Sequence, residues 1–191
     1  MEELLNLLQE GTTSTIEGLL GIAPELSLKE QETLAEHSSV VPPDVVIEIS
    51  VTGDVTGNVQ VIAPPQLMTA IGDMMLGGDG ESKDTMDDED LDAAKEIVSN
   101  IFGAIASTLG AQSDLPVLSF EVTDCSFKDA DSTIYLGDFS QLVIYDFNIQ
   151  DIHNVLMFAL DANMVDAFSG GGSDAGGMEE LSGGGMGGGT P

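Results

Sequence analysis

The stretch Asp87–Gly110, DDEDLDAAKEIVSNIFGAIASTLG, reads as a single helix with two unlike faces. Leu91, Ala94, Val98, Ile101, Phe102, Ile105 and Leu109 recur at spacings of three and four, the periodicity that lines apolar side chains along one side of an α-helix. That side belongs to a core. At about 100° per residue, Asp92, Glu96, Ser99, Asn100 and Gly103 turn to the opposite side, so carboxylates, a hydroxyl and an amide share an exposed face among small neighbours. Such a face can reach into a partner; an ordinary solvated helix surface is the alternative, and spacing by itself does not choose between them.

Outward from this helix, the chain repeats itself. VVIEISV at 45–51 matches LVIYDFN at 142–148, and NVQVIAPPQLM from Asn58 is echoed by NVLMFALDANM from Asn154. An amphipathic helix precedes each strand pair: the one quoted above, and ELLNLLQEGTTSTIEGLL at Glu3–Leu20, where Glu3 and Asn6, three residues apart, point the same way. Gln66–Leu76 and Ala162–Phe168 close the halves as further helices. Each half thus reads helix, strand, strand, helix. The predicted fold is α+β: residues 1–168 form one domain of two related halves, 1–77 and 88–168, joined by an acidic connector at 78–87. The halves pair with pseudo-twofold symmetry into one antiparallel sheet, with the paired helices on one face.

Composition narrows the functions open to the chain. It carries 34 acidic residues against 4 basic ones, all lysine, for a formal charge of -30. Nucleic acid and anionic lipid need a basic surface to meet their phosphates, so neither is an expected partner. No run has the length and apolarity of a membrane span, and the N-terminus lacks the basic opening of a signal peptide, which points to a cytoplasmic protein without membrane insertion. Cys125 is the one cysteine and cannot form an internal disulfide; in a β-like segment it reads as a buried thiol rather than a nucleophile or metal ligand. His37 and His153 have no ligand spacing and read as surface or strand-edge residues, so no metal site is expected.

Two segments stand apart. GGDGESKDTMDDED, from Gly77 to Asp90, is glycine and acid, an exposed and poorly structured connector whose last carboxylates suit the positive end of the following helix dipole. The EF-hand order of acids and glycine is missing from it, so a solvated linker is preferred to a calcium loop. From Ser169 to Pro191 a glycine-rich tail cannot bury enough surface to order itself and reads as a flexible linker.

An E-x-x-N on each of two symmetry-related helices, above a sheet built from duplicated halves, resembles the CheC, CheX and FliY group of chemotaxis phosphatases. The resemblance spans about 1–168 and is strongest toward the CheC-like domain of FliY-type flagellar switch proteins, to which STIEGLLG at Ser14–Gly21 is also similar. In that group the signature is Asp or Ser, three residues, Glu, two residues, Asn, with a proline downstream. Asp92 and Glu96 keep the first separation, but Ser99 follows where asparagine belongs and Asn100 comes one later. Placing Asn100 on the family asparagine puts Ile97 on the glutamate and Thr123 on the proline. The first copy offers Glu3 and Asn6 without the upstream residue.

The resemblance implies binding of CheY and hydrolysis of its aspartyl phosphate. An asparagine amide would hold the attacking water in line while a glutamate one turn away engages a lysine of the partner, a catalysis of positioning and electrostatics. Glu96, Asn100, Glu3 and Asn6 are the residues so implied, with Asp92, Ser99 and Gly103 on the binding face. The Mg²⁺ would be CheY's, and the chain would need no cofactor of its own. Other switch-ring proteins are implied partners, at the cytoplasmic face of the flagellar motor, with the tail leading to a ring-forming domain. A free-standing CheC- or CheX-type phosphatase and an inactive binding module of the switch are the alternatives.

Overall fold

The structure, a computed structural model, describes residues 1–34 and 40–169. His37 and nearly all of the glycine-rich tail lie outside the described residues. The elements run α1 (Glu2–Leu20), β1 (Glu25–Thr33), β2 (Asp44–Gly53), β3 (Gly57–Ala63), α2 (Pro65–Met75), α3 (Asp88–Gly110), β4 (Leu118–Lys128), β5 (Gln141–Ile149), β6 (Ile152–Leu160) and α4 (Ala162–Ala167).

The six strands make one sheet in the order β1-β5-β6-β3-β2-β4, antiparallel throughout. The order is symmetric about the β6–β3 junction, so a twofold exchange carries the first half, α1 to α2, onto the second, α3 to α4. The halves interlock: β1 of the first half pairs with β5 of the second, and β4 of the second pairs with β2 of the first. Each edge strand carries one bulge, at Lys29 and at Thr123, a common device for blunting an exposed sheet edge. The expected α+β architecture, with duplicated halves and the long helices on one face, is the observed one.

Alternation decides which strand residues meet the helices. Val45, Ile47, Ile49 and Val51 of β2 and Val143, Tyr145, Phe147 and Ile149 of β5 join α1, α2, α3 and α4 in the main core. This face assignment corrects the repeat register. Aligning 45–51 with 142–148 puts Val45 on Leu142, yet Leu142 belongs to the smaller cluster beneath the sheet and Val143 is the counterpart on the helix side. Since side chains alternate with a period of two, a slip of one residue exchanges the faces. The echo of Asn58 at Asn154 is likewise one residue short, because Val59, Val61 and Ala63 share their face with Leu156, Phe158 and Leu160.

Two further corrections concern whole segments. Each half has three strands, not two: β1 and β4 went unread because edge strands bury little, and ELSLKEQET keeps only Leu26 and Glu32 from solvent. The acidic connector is exposed but not loose. Asp73 of α2 accepts from the backbone N–H groups of Gly80 (3.0 Å) and Glu81 (2.9 Å), Thr69 Oγ1 accepts from Lys83 N (2.8 Å), and Gln66 donates to Asp84 (2.9 Å). Met86 then plugs into the main core. Polar sequence concealed a segment tied down by side chains of the preceding helix.

Candidate functional site

The start of α3 is fixed by its own acids. Asp87 Oδ1 accepts from Asp90 N at 2.9 Å while Asp90 Oδ2 accepts from Asp87 N at 3.0 Å, a reciprocal capping box. Asp88, Glu89 and Asp90 fill the first turn, where the helix dipole favours negative charge. Lys83 bridges Asp90 at 2.5 Å and Asp87 at 3.7 Å. The hydrogen bond to Asp90 raises the Lys83 ammonium above its ordinary range, and the backbone N–H of Asp90 holds the Asp87 carboxyl below its own. A helix so anchored presents its later turns in a defined rotation.

Those turns carry the expected face. Asp92, Glu96, Ser99, Asn100 and Gly103 are all exposed, while Ala94, Ile97, Val98, Ile101, Phe102, Ile105 and Leu109 are buried. Ile97 is therefore a core residue, and the alignment that would set it on the family glutamate places an apolar side chain facing inward. Glu96 and Asn100 stand about 40° apart around the helix, and Glu96 and Ser99 about 60°; either residue can share the carboxylate's side.

Asn100 lies on the seam between the two long helices. Thr15 Oγ1 of α1 donates to the Asn100 carbonyl at 3.4 Å, and Gly11 of α1 presses against Ile101 and Ile105. The Asn100 amide is thus left to solvent while its backbone is tied to the neighbouring helix.

The same burial shows how the two helices correspond. Leu4, Leu7, Leu8, Gly11 and Thr12 of α1 fall one for one on Ala94, Ile97, Val98, Ile101 and Phe102 of α3, and Leu20 ends the first helix as Gly110 ends the second. In this register Asn6 answers Glu96, Gln9 answers Ser99, Glu10 answers Asn100 and Thr13 answers Gly103, whereas Glu3 answers Ala93. Glu3 and Asn6 are both exposed on one side of α1, about one turn away from the positions that mirror Glu96 and Asn100. Asn6 lines a shallow groove of about 360 Å³ along α1 with Glu10, Thr13 and Glu17. Gln9 is not free to act there, since its amide donates to the Leu26 carbonyl at 2.8 Å.

The remaining candidates are quiet. The Cys125 thiol donates to the Leu91 carbonyl at 3.5 Å, and burial, reinforced by Asp124, pushes its pKa up to about 11, so little thiolate is present at neutral pH. His153 is exposed on the β5–β6 hairpin, its Nδ1 2.7 Å from Asn148 Oδ1. Among the described residues no three His, Cys, Asp or Glu side chains gather into a metal-holding group. No helix of the described residues is long and apolar enough to cross a membrane.

Two residues escaped the sequence reading. Thr15 looked like one more hydroxyl in a polar helix, and its role follows only from the helix crossing. Asp44 is buried with Oδ2 unpartnered; a carboxylate opening an apolar strand directly after two prolines was the available signal.

Residues 45–120 match the family described as chemotaxis phosphatase CheX. No curated protein matches the chain. Among solved structures, Thermotoga maritima FliY is similar with a TM-score of 0.73 at 19% identity, covering 86% of this chain and 89% of that one. A FliM middle domain from H. pylori gives 0.64 at 13% identity, over 85% of this chain and 88% of that chain. CheX from Desulfovibrio desulfuricans gives 0.60 at 18% identity, over 83% and 99% respectively. At these identities the structural likeness carries the fold, which is the CheC-like fold expected from the duplicated halves.

Proposed function

We propose, for a chain that belongs to the CheC, CheX and FliY group by its fold and its CheX family match, that the exposed face of α3 binds phosphorylated CheY and promotes hydrolysis of its aspartyl phosphate. The observation that carries this reading is the pairing of Glu96 and Asn100 on one solvent-facing side of a helix whose position is set by its capping box and by the α1 seam. The Asn100 amide would orient a water in line with the phosphoryl group, and Glu96 would engage a cation of the partner. The Mg²⁺ of the reaction would arrive with the partner. Asp92, Ser99 and Gly103 border the pair and leave room for a protruding loop.

The site on α1 is the weaker of the two. Glu10 stands where Asn100 would be mirrored, Gln9 is occupied, and Glu3 and Asn6 sit one turn toward the helix start. We read α3 as the working helix and Glu3 and Asn6 as residues with little part in the reaction. A second reading, an inactive module that holds CheY without altering its phosphate, is favoured by one observation: Ser99 occupies the place three residues after Glu96 where the group carries asparagine.

The similarity to FliY and to FliM, together with the glycine-rich tail, supports a place in the flagellar switch at the cytoplasmic face of the motor rather than a free-standing phosphatase. A test of the binding face is amide chemical-shift mapping with CheY held active by beryllofluoride. The expected perturbations cluster at Asp92, Glu96, Ser99, Asn100 and Gly103. Perturbations confined to the sheet face away from the helices would contradict the proposal.

A further inference from the structure

Lys95 is the one lysine carried by the four helices, in a chain of formal charge -30. The other three stand elsewhere: Lys83 is paired with Asp90 and Asp87 ahead of α3, Lys29 sits at the bulge of β1, and Lys128 ends β4 and lines a pocket with Tyr135 and Asp138. Lys95 is exposed, and among the described residues no carboxylate lies within ion-pair distance of its ammonium. That charge is open to an incoming anion.

Helix geometry and the sheet together fix where it stands. At about 100° per residue, Lys95 lies roughly 40° from Ser99 and 60° from Asp92 around α3, at the border of the exposed face. The Cys125 thiol of β4 is within electrostatic reach of Lys95, Asp92 and Asp124, so Lys95 marks the flank of α3 toward β4. Asn100 marks the opposite flank, where Thr15 of α1 meets its carbonyl.

Between these flanks the face carries the carboxylates of Asp92 and Glu96. A phosphoryl group brings about -1.5 to -2 of charge, so a phosphorylated partner approaches like charge on a strongly acidic chain. Repulsion of this kind slows encounter, and a cation beside the contact relieves it. At an exposed border such a cation acts on the rate of association more than on the lifetime of the complex.

We propose that Lys95 recruits the phosphorylated partner, its ammonium drawing the anionic surface around the aspartyl phosphate onto α3 from the β4 side. The inference rests on the reading of α3 as the docking face and adds to it a residue of recognition. Lys95 takes no part in breaking the phosphate bond.

The test is stopped-flow association of CheY held active by beryllofluoride with the parent, Lys95→Gln, Lys95→Glu and Lys95→Arg, at ionic strengths of about 0.02 M and 0.5 M, where the Debye length is roughly 20 Å and 4 Å. At low salt, association should slow about twofold to fivefold in Lys95→Gln and further in Lys95→Glu, while Lys95→Arg keeps the parent rate. The differences should vanish at high salt, with little change in dissociation. Equal association of the parent and Lys95→Gln at low salt, a loss undiminished at high salt, or faster dissociation as the main effect would overturn the proposal. If the parent binds through Asp92, Glu96, Ser99, Asn100 and Gly103 in amide shift mapping, such a result removes the role of Lys95 alone. A parent that does not bind, or binds elsewhere, overturns the reading of α3 and this proposal with it.

Discussion

Gly11 of α1 stands so close to Ile105 of α3 that a Cβ built on the glycine lies 2.6 Å from Ile105 Cγ1. Only a residue without a side chain lets the helices meet at this point, and the approach is what brings Thr15 to the Asn100 carbonyl. Gly11→Val should therefore destabilise by about 1–3 kcal/mol through overpacking, lowering the melting temperature by several degrees in a circular-dichroism melt. In an Ile105→Ala background, itself destabilised by the lost core side chain, the same glycine change should cost less, because the truncated neighbour vacates the contested space. A Gly11→Val chain as stable as the parent would show that the seam is looser than described.

What the sequence disclosed and what it withheld divide along physical lines. The α3 faces were legible because 3.6-residue periodicity is a strong signal over this many turns. The duplication was legible because both central strand pairs are apolar, though their register slipped by one residue, an error that alternation makes easy to commit. β1 and β4 were hidden because an edge strand such as ELSLKEQET buries so few of its residues that no alternation emerges. The connector was misread because its order comes from Asp73 and Thr69, residues outside it. For the candidate site, the exposed face that holds Glu96 and Asn100 was legible from helical spacing, whereas the one-turn offset of Glu3 and Asn6 from the positions that mirror them could be seen only once burial had aligned α1 with α3.

At Gly103 stability and the proposed recognition can be tested apart. A Cβ built there meets nothing within 4 Å, and the residue is exposed in mid-helix. Gly103→Ala should stabilise the chain by about 0.5–1 kcal/mol, since alanine is the better helix former. If the glycine borders a docking face, the same change should weaken CheY binding in a calorimetric titration although the fold gains stability. Unchanged affinity would place the contact elsewhere on the helix.

Asp44 should leave a signature in the pH dependence of stability. The folded chain holds this proton up to about pH 7, whereas the unfolded chain releases it near the ordinary value of 3.8. Between these values the folded state binds more protons, so this contribution falls as pH rises through the window and is level above it. Asp44→Asn should remove the fall. The variant should exceed the parent in urea unfolding at pH 8 by on the order of a few kcal/mol, and the two should converge toward pH 4. The difference between the chains isolates Asp44, because the other acids titrate in both. A constant difference from pH 4 to 8 would mean that Asp44 ionises normally.

The most direct test of the central claim is the lifetime of CheY aspartyl phosphate measured with the parent domain, with Asn100→Ala and with Asn6→Ala. The account predicts faster loss of phosphate with the parent, a tenfold to thousandfold reduction of that gain in Asn100→Ala, as expected when a water-positioning group is removed, and a rate within about twofold of the parent for Asn6→Ala, the variation expected of a residue outside the chemistry. A parent domain that binds CheY and leaves the phosphate lifetime unchanged would contradict the enzymatic reading, and loss of activity in Asn6→Ala but not in Asn100→Ala would contradict the assignment of the site to α3.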